Sequence, residues 1–118
     1  MRQALAIESF GSGGFRVAGV WRPGSLLILA DAARDWRPRD LAELTAEDFA
    51  EVLSAEAGAV EFVLLGTGAR QALPPRPVAA SLRAAGLGLE FMATDAAARL
   101  HNVLASEGRL FATALIAI

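Results

Sequence analysis

Val60-Glu61-Phe62-Val63-Leu64-Leu65-Gly66-Thr67-Gly68-Ala69-Arg70 is the stretch on which the fold turns. Its first six residues are apolar save Glu61, too few for a helix, and closed by two glycines. They read as a short buried strand that runs into a loop. The chain then alternates. Pro74, Pro75 and Pro77 pre-set φ for a helix over about 76–85, with Val78, Leu82 and Ala85 inward and Gly86 as its stop. Leu87 to Ala93 reads as another strand. Thr94 or Asp95 caps a helix to about 107, and Gly108 releases it into a last strand, Arg109 to Ile118. Strands separated by ~10-residue helices run parallel, with the helices covering the sheet. The runs 60–65 and 110–118 are apolar on both faces, as central strands covered on both sides must be.

The first half reads differently. Residues 5–10 are a strand candidate ended by Gly11-Ser12-Gly13-Gly14. Phe15, Val17, Gly19 and Trp21 alternate with Arg16, Ala18, Val20 and Arg22, the period-2 pattern of one half-buried strand over 15–21. Pro23-Gly24 predicts a type II turn into the apolar run Ser25 to Ala30, expected to pair antiparallel with 15–21. Residues 31–43 read as a charged loop. A helix follows over about 46–57, with Thr45 as N-cap, Asp48 closing a capping box, Leu44 stapled onto Phe49 and Gly58 at its end. The expected architecture is a single α/β domain over 1–118, in three layers. Its central sheet is mixed and mostly parallel, with helices on both sides and an N-terminal antiparallel β-hairpin.

Composition narrows the chemistry. At 118 residues the chain can remove roughly 65% of its unfolded surface from water, enough for a core without staples. There is no cysteine, hence no disulfide and no thiolate nucleophile or ligand. All eleven basic residues are arginine, which removes Walker-A and Schiff-base lysines. A net charge of −2 with scattered arginines does not favour nucleic acid. The longest apolar run, Leu110 to Ile118, is about half a membrane span, and Met1-Arg2-Gln3-Ala4-Leu5 fails as a signal peptide. The expectation is a cytosolic protein without a bound metal or cofactor.

In an open α/β sheet, ligands bind beyond the carboxyl ends of the strands. Two exits qualify: Gly66-Thr67-Gly68-Ala69-Arg70 and Thr94-Asp95. If they open side by side, the glycines allow close backbone approach, Arg70 offers a fork of donors, and the helix start presents free amides. Together these would hold a carboxylate, a phosphate or an acidic side chain. Equally, the glycines only turn the chain and Arg70 pairs with a nearby acid. Gly66-x-Gly68 lacks the third glycine of the dinucleotide fingerprint, since position 71 is Gln71. His101 is the lone imidazole. No serine sits in a nucleophile elbow to use it, and one histidine makes no typical metal site. The helical wheel buries Ala97, Leu100, Val103 and Leu104 and leaves His101 on a flank, at the surface or boundary. Trp36 and Arg37, in the loop Arg34-Asp35-Trp36-Arg37-Pro38-Arg39, are the residue types that anchor protein interfaces; alternatively the tryptophan lids the core edge.

Three segments occur in order and register: Leu64-Leu65-Gly66-Thr67-Gly68-Ala69-Arg70-Gln71 with Pro74-Pro75, Gly86-Leu87-Gly88-Leu89-Glu90-Phe91-Met92-Ala93-Thr94-Asp95, and Asn102-Val103-Leu104 with Glu107-Gly108-Arg109. With Phe15-Arg16-Val17 and Gly24-Ser25-Leu26-Leu27-Ile28-Leu29 they resemble a family of small α/β domains of unknown function. That family includes the mitochondrial respiratory complex I assembly factor 3. The resemblance spans roughly residues 5–118 and implies a three-layer fold with a mixed sheet. It also implies an accessory role by protein–protein contact, with no settled biochemical activity for bacterial members. Leu100-His101-Asn102 replaces the family's usual Thr-Tyr-Asn, so chemistry assigned to that hydroxyl pair does not transfer, while Asn102 is retained. The leading expectation is a non-catalytic interaction module with an unidentified protein partner, monomeric or homodimeric through an open sheet edge at 15–21 or 110–118. The alternative is a binder of small anionic ligands built on Gly66, Thr67, Gly68, Arg70, Thr94, Asp95 and Asn102. An enzyme using Asp95, His101 or Asn102 is the third and least favoured.

Overall fold

A computed structural model describes residues 5–118. Its centre is a five-stranded mixed sheet of β4 (Ser25–Leu29), β5 (Ala32–Trp36), β6 (Phe62–Gly66), β7 (Gly88–Met92) and β8 (Phe111–Leu115), in the order β5-β4-β8-β6-β7. The strands β7, β6 and β8 are parallel, as short strand–helix–strand connections require; β4 and β5 run antiparallel to their neighbours. Helix α2 (Arg76–Ala84) and the one-turn helix α1 (Ala50–Leu53) pack on one face, α3 (Thr94–Ser106) on the other. A second, three-stranded antiparallel sheet of β1 (Ile7–Gly11), β2 (Gly14–Val17) and β3 (Val20–Pro23) lies beside α3.

Side-chain alternation divides the core into two halves. Leu27, Leu29, Val63, Leu65, Ala112 and Ala114 meet α1 and α2. Leu26, Ile28, Leu64 and Leu115 meet Ala97 and Ala98 of α3 and Ile7, Phe15 and Val17 of the small sheet. The central strands are thus apolar on both faces because both faces are covered.

The first half departs from the sequence reading in four places. The single strand over 15–21 is two strands, because Ala18 (φ 52°) and Gly19 (φ 78°) form a two-residue hairpin loop of left-handed residues. The run 25–29 pairs with β5 and β8 rather than with 15–21, so the expected hairpin is split between two sheets. The segment read as a charged loop contains β5, joined to β4 through Ala30 (φ 54°) and Asp31 (φ 60°), a turn with neither glycine nor proline to announce it. The helix expected over 46–57 is a 3₁₀ turn (Ala46–Phe49) followed by α1, which stops early, with the Ser54 hydroxyl turned back on the Glu51 carbonyl. Its capping box is present: the Thr45 amide donates to Asp48 Oδ2 at 2.9 Å.

Downstream corrections are smaller. Ala85 is exposed rather than inward. The last strand is Phe111–Leu115, central between β4 and β6, so 110–118 leaves no open edge; the edges of the large sheet are β5 and β7. On α3 the buried stripe is Thr94, Ala97, Ala98 and His101, while Val103 is 52% exposed.

Candidate functional site

The two predicted exits do open side by side, Gly66 facing Met92 across the parallel pair β6–β7. What the structure builds there is a latch. The Thr67 amide donates to the Met92 carbonyl (2.8 Å) and the Thr94 amide to the Gly68 carbonyl (2.8 Å). The Gly68 amide donates to Thr94 Oγ1 (2.9 Å), and that hydroxyl donates to the Ile116 carbonyl (2.7 Å). The Ile116 amide returns to the Gly66 carbonyl at 3.0 Å. Thr94 is fully buried and is the first residue of α3, which Ala93 rather than Thr94 or Asp95 caps. Its hydroxyl therefore ties the ends of β6, β7 and β8 together.

Gly66 is part of the same fit. A Cβ there would lie 2.8 Å from Leu115 Cδ2, 2.9 Å from Thr94 Oγ1 and 3.0 Å from Thr94 Cα. The glycine exists for close approach of protein to protein. The amides expected to be free for an anion at Thr67, Gly68 and Thr94 are engaged, and the Ala96 amide is taken by the Asp95 carboxylate at 2.8 Å. Asp95 also pairs with Arg99 (3.6 Å). Arg70 is exposed and makes no ion pair among the described residues. Its carbonyl accepts from the Thr67 hydroxyl at 2.6 Å.

Asn102 lies away from this edge. Its Oδ1 accepts from the Ile7 amide (2.8 Å) and its Nδ2 donates to the Ile7 carbonyl (2.9 Å), clamping the start of β1 to α3. One helical position earlier, His101 is buried rather than on the surface. The spacing Thr94-Ala97-Ala98-His101 is a regular i, i+3, i+4, i+7 stripe, and its small residues signal a helix lying close on a sheet. His101 Nε2 donates to the Leu5 carbonyl at 2.8 Å, so in the neutral ring Nδ1 accepts from the Thr113 hydroxyl at 2.7 Å. Burial pushes this imidazole below its ordinary pKa of 6.5, outweighing the Leu5 carbonyl and Asp31, which oppose it.

Trp36 turns inward, while Arg37 stays exposed and pairs across the surface with Asp48. Trp36 is buried at the end of β5, edge-on to Phe49 with ring centroids 5.4 Å apart, and its indole N–H donates to the Asp48 carbonyl (2.8 Å). Of the two readings of this tryptophan, the structure holds the one in which it lids the edge of the core. Arg37 grips Asp48 with two bonds of 2.8 and 2.7 Å, which hold that carboxyl below its usual range, and it also donates to the Glu43 carbonyl. A concavity of about 770 Å³ lies at the opposite end of the parallel strands; Ile28, Val60, His101 and Phe111 line it, with the Arg34–Glu51 ion pair at its margin. No reading of the sequence pointed to it, because its walls come from β4, α1, α3 and β8 at once.

A family described as Protein of unknown function (DUF498/DUF598) matches residues 7–116. The chain belongs to this family. Within DUF498/DUF598 it is 42% identical over 113 residues to an uncharacterized protein of Rhodobacter capsulatus, covering 96% of this chain and 85% of that one. It is 30% identical over 114 residues to the Homo sapiens NADH dehydrogenase (ubiquinone) 1 alpha subcomplex assembly factor 3. That match covers 97% of this chain but 61% of the human protein, so the chain spans under two thirds of its length. In structure it is similar to a Bartonella henselae protein described as an outer membrane protein, with a TM-score of 0.87 and 32% identity over 97% of this chain and 95% of that one. No helix among the described residues is long and apolar enough to cross a membrane.

Proposed function

We propose that this chain is a non-catalytic assembly module, acting by protein–protein contact on a membrane-associated complex of the NADH dehydrogenase type. The similarity to assembly factor 3 along nearly the whole chain carries this reading. The local chemistry supports it. Thr94 and Asn102, which would have to serve a substrate, are spent on the protein's own backbone, and both nitrogens of His101 are held by Thr113 and Leu5. Such groups brace a scaffold. Deleting the gene in its native host and resolving the membrane complexes on blue-native gels tests the proposal. The expected result is a loss of full-size NADH dehydrogenase, or a stalled subcomplex, restored by the intact chain. Unchanged amount and mobility would overturn it.

One observation favours a second reading, a small anionic ligand at the 66–70 loop: the exposed Arg70 guanidinium, without an ion pair among the described residues. Inorganic phosphate, citrate and nucleotides should then raise the melting temperature, and Arg70→Ala should abolish the rise. A flat screen would remove this alternative.

A further inference from the structure

From Gly66 through Leu89 there is no acidic residue, and Arg70, Arg76 and Arg83 are its charges, in a chain whose net charge is −2. All three arginines are exposed, and none makes an ion pair among the described residues. Arg22, Arg34, Arg37 and Arg99 are paired with acids, and Arg16, Arg39 and Arg109, which also make no ion pair among the described residues, lie outside this acid-free stretch. Leu73 stands between Arg70 and Arg76 and is 81% exposed, the most of any large apolar side chain in the exposed set that includes Trp21, Val20, Val103 and Leu110. A lone surface leucine is ordinary. A leucine held at a fixed height between unpaired guanidiniums is not.

The loop is held in place. The Thr67 hydroxyl closes on the Arg70 carbonyl, the Gln71 side-chain amide donates to the Phe91 carbonyl (3.3 Å), and Pro74 and Pro75 restrict φ on the far side. The Pro75 carbonyl then accepts the first amides of α2, from Val78 and Ala79. Leu73 is thus presented by a braced knuckle, and little ordering entropy is lost when it is covered. On α2, Arg76, Ala80, Arg83 and Ala84 are exposed along one side, so the two arginines stand roughly 10 Å apart over a low alanine floor. Glu90, the next acid in the chain, does not interrupt this surface. Its β7 neighbours Leu89 and Phe91 pack on the α2 side, so alternation turns Glu90 to the α3 side.

We infer that the 69–76 knuckle and the outer side of α2 form a docking surface for an acidic protein segment, one that covers Leu73 with an apolar side chain and sets carboxylates against Arg70, Arg76 and Arg83. Charge complementarity names the partner's chemistry. Arginine forks pair bidentately with carboxylates, and the alanine floor admits an extended or helical segment lying close. This rests on the assembly reading above and specifies which side of the module meets its client.

A photo-crosslinking amino acid at position 73 tests it in the native host, with the same group at Val103, exposed on α3, as the control. The expected adduct from position 73 is one protein whose captured segment carries acidic residues beside an apolar one. Combining Arg70→Glu with Arg76→Glu should reduce that adduct about tenfold, and reversing the captured acids to arginine should restore it. Adducts that match those from position 103, or a captured segment without acids, would overturn the inference. So would adducts to lipid together with sedimentation on phosphatidylglycerol-rich vesicles, which would make the surface a membrane contact. The two proposals fail separately. A deletion without effect on the NADH dehydrogenase sinks the assembly role whatever the adduct shows. A deletion phenotype fully rescued by the Arg70→Glu, Leu73→Glu, Arg76→Glu chain sinks the docking surface alone.

Discussion

Replacing Thr94 by valine preserves shape and removes one oxygen. That oxygen is the acceptor for the buried Gly68 amide at 2.9 Å and the donor to the Ile116 carbonyl at 2.7 Å. Valine can do neither, and no water reaches a site where Thr94 is fully buried and Gly68 is buried beside it. Each orphaned backbone group costs about 1–3 kcal/mol, so the pair amounts to roughly 2–6 kcal/mol. That is a large part of the ~5–15 kcal/mol a domain has in hand. For a domain of this size each kcal/mol shifts the midpoint by about 4 °C, giving an expected drop of about 8–24 °C in a thermal melt followed by circular dichroism. Thr94→Ser keeps both hydrogen bonds and deletes one buried methyl, for a loss of about 1 kcal/mol or ~4 °C. Hydrogen exchange supplies the local readout: the Gly68 amide should lose its protection in the valine variant and keep it in the serine variant. If valine proves as stable as serine, the hydroxyl does not hold the strand ends and the latch is misread.

His101 should make stability pH-dependent. Its folded pKa lies below the unfolded value of 6.5, so the native state binds fewer protons than the unfolded chain, and stability is full above 6.5 and falls as pH drops through it. Urea midpoints measured between about pH 7.5 and pH 5 should therefore decline, and His101→Gln should flatten that decline at a lower overall stability. Because the chain has one histidine, a profile that rises on acidification contradicts the buried neutral ring directly. Asn102→Ala strips both hydrogen bonds from Ile7 and should cost about 1–3 kcal/mol. The Ile7 amide should then exchange with solvent far faster, while amides of β6 are unmoved; equal protection at Ile7 would show that the side chain does not clamp β1.

The second half of the molecule was legible because its instructions are local. Val60–Leu65 is apolar on both faces, prolines announce α2, and Gly86 and Gly108 stop the helices, so the parallel arrangement and the adjacency of Gly66 to Thr94 follow from chain connectivity. The first half was not, because strand partners are non-local choices. Nothing within Ser25–Leu29 says that Leu115 rather than Trp21 will lie beside it, and a turn through Ala30 and Asp31 carries no glycine signal. Trp36 shows the same limit: the residues around it left an interface anchor and a lid on the core edge both open, and only the packing of β5 against Phe49 decided for the lid. At the sheet edge the residues were the right ones, but their use was decided in three dimensions. Whether an amide at Gly68 waits for a ligand depends on a hydroxyl 26 positions away, and that hydroxyl is fixed in turn by the Ile116 carbonyl, a further 22 along. Periodicity and caps specify what a segment becomes. Which donor meets which acceptor depends on how distant segments pack, and there a buried polar group must find a partner wherever the fold puts one.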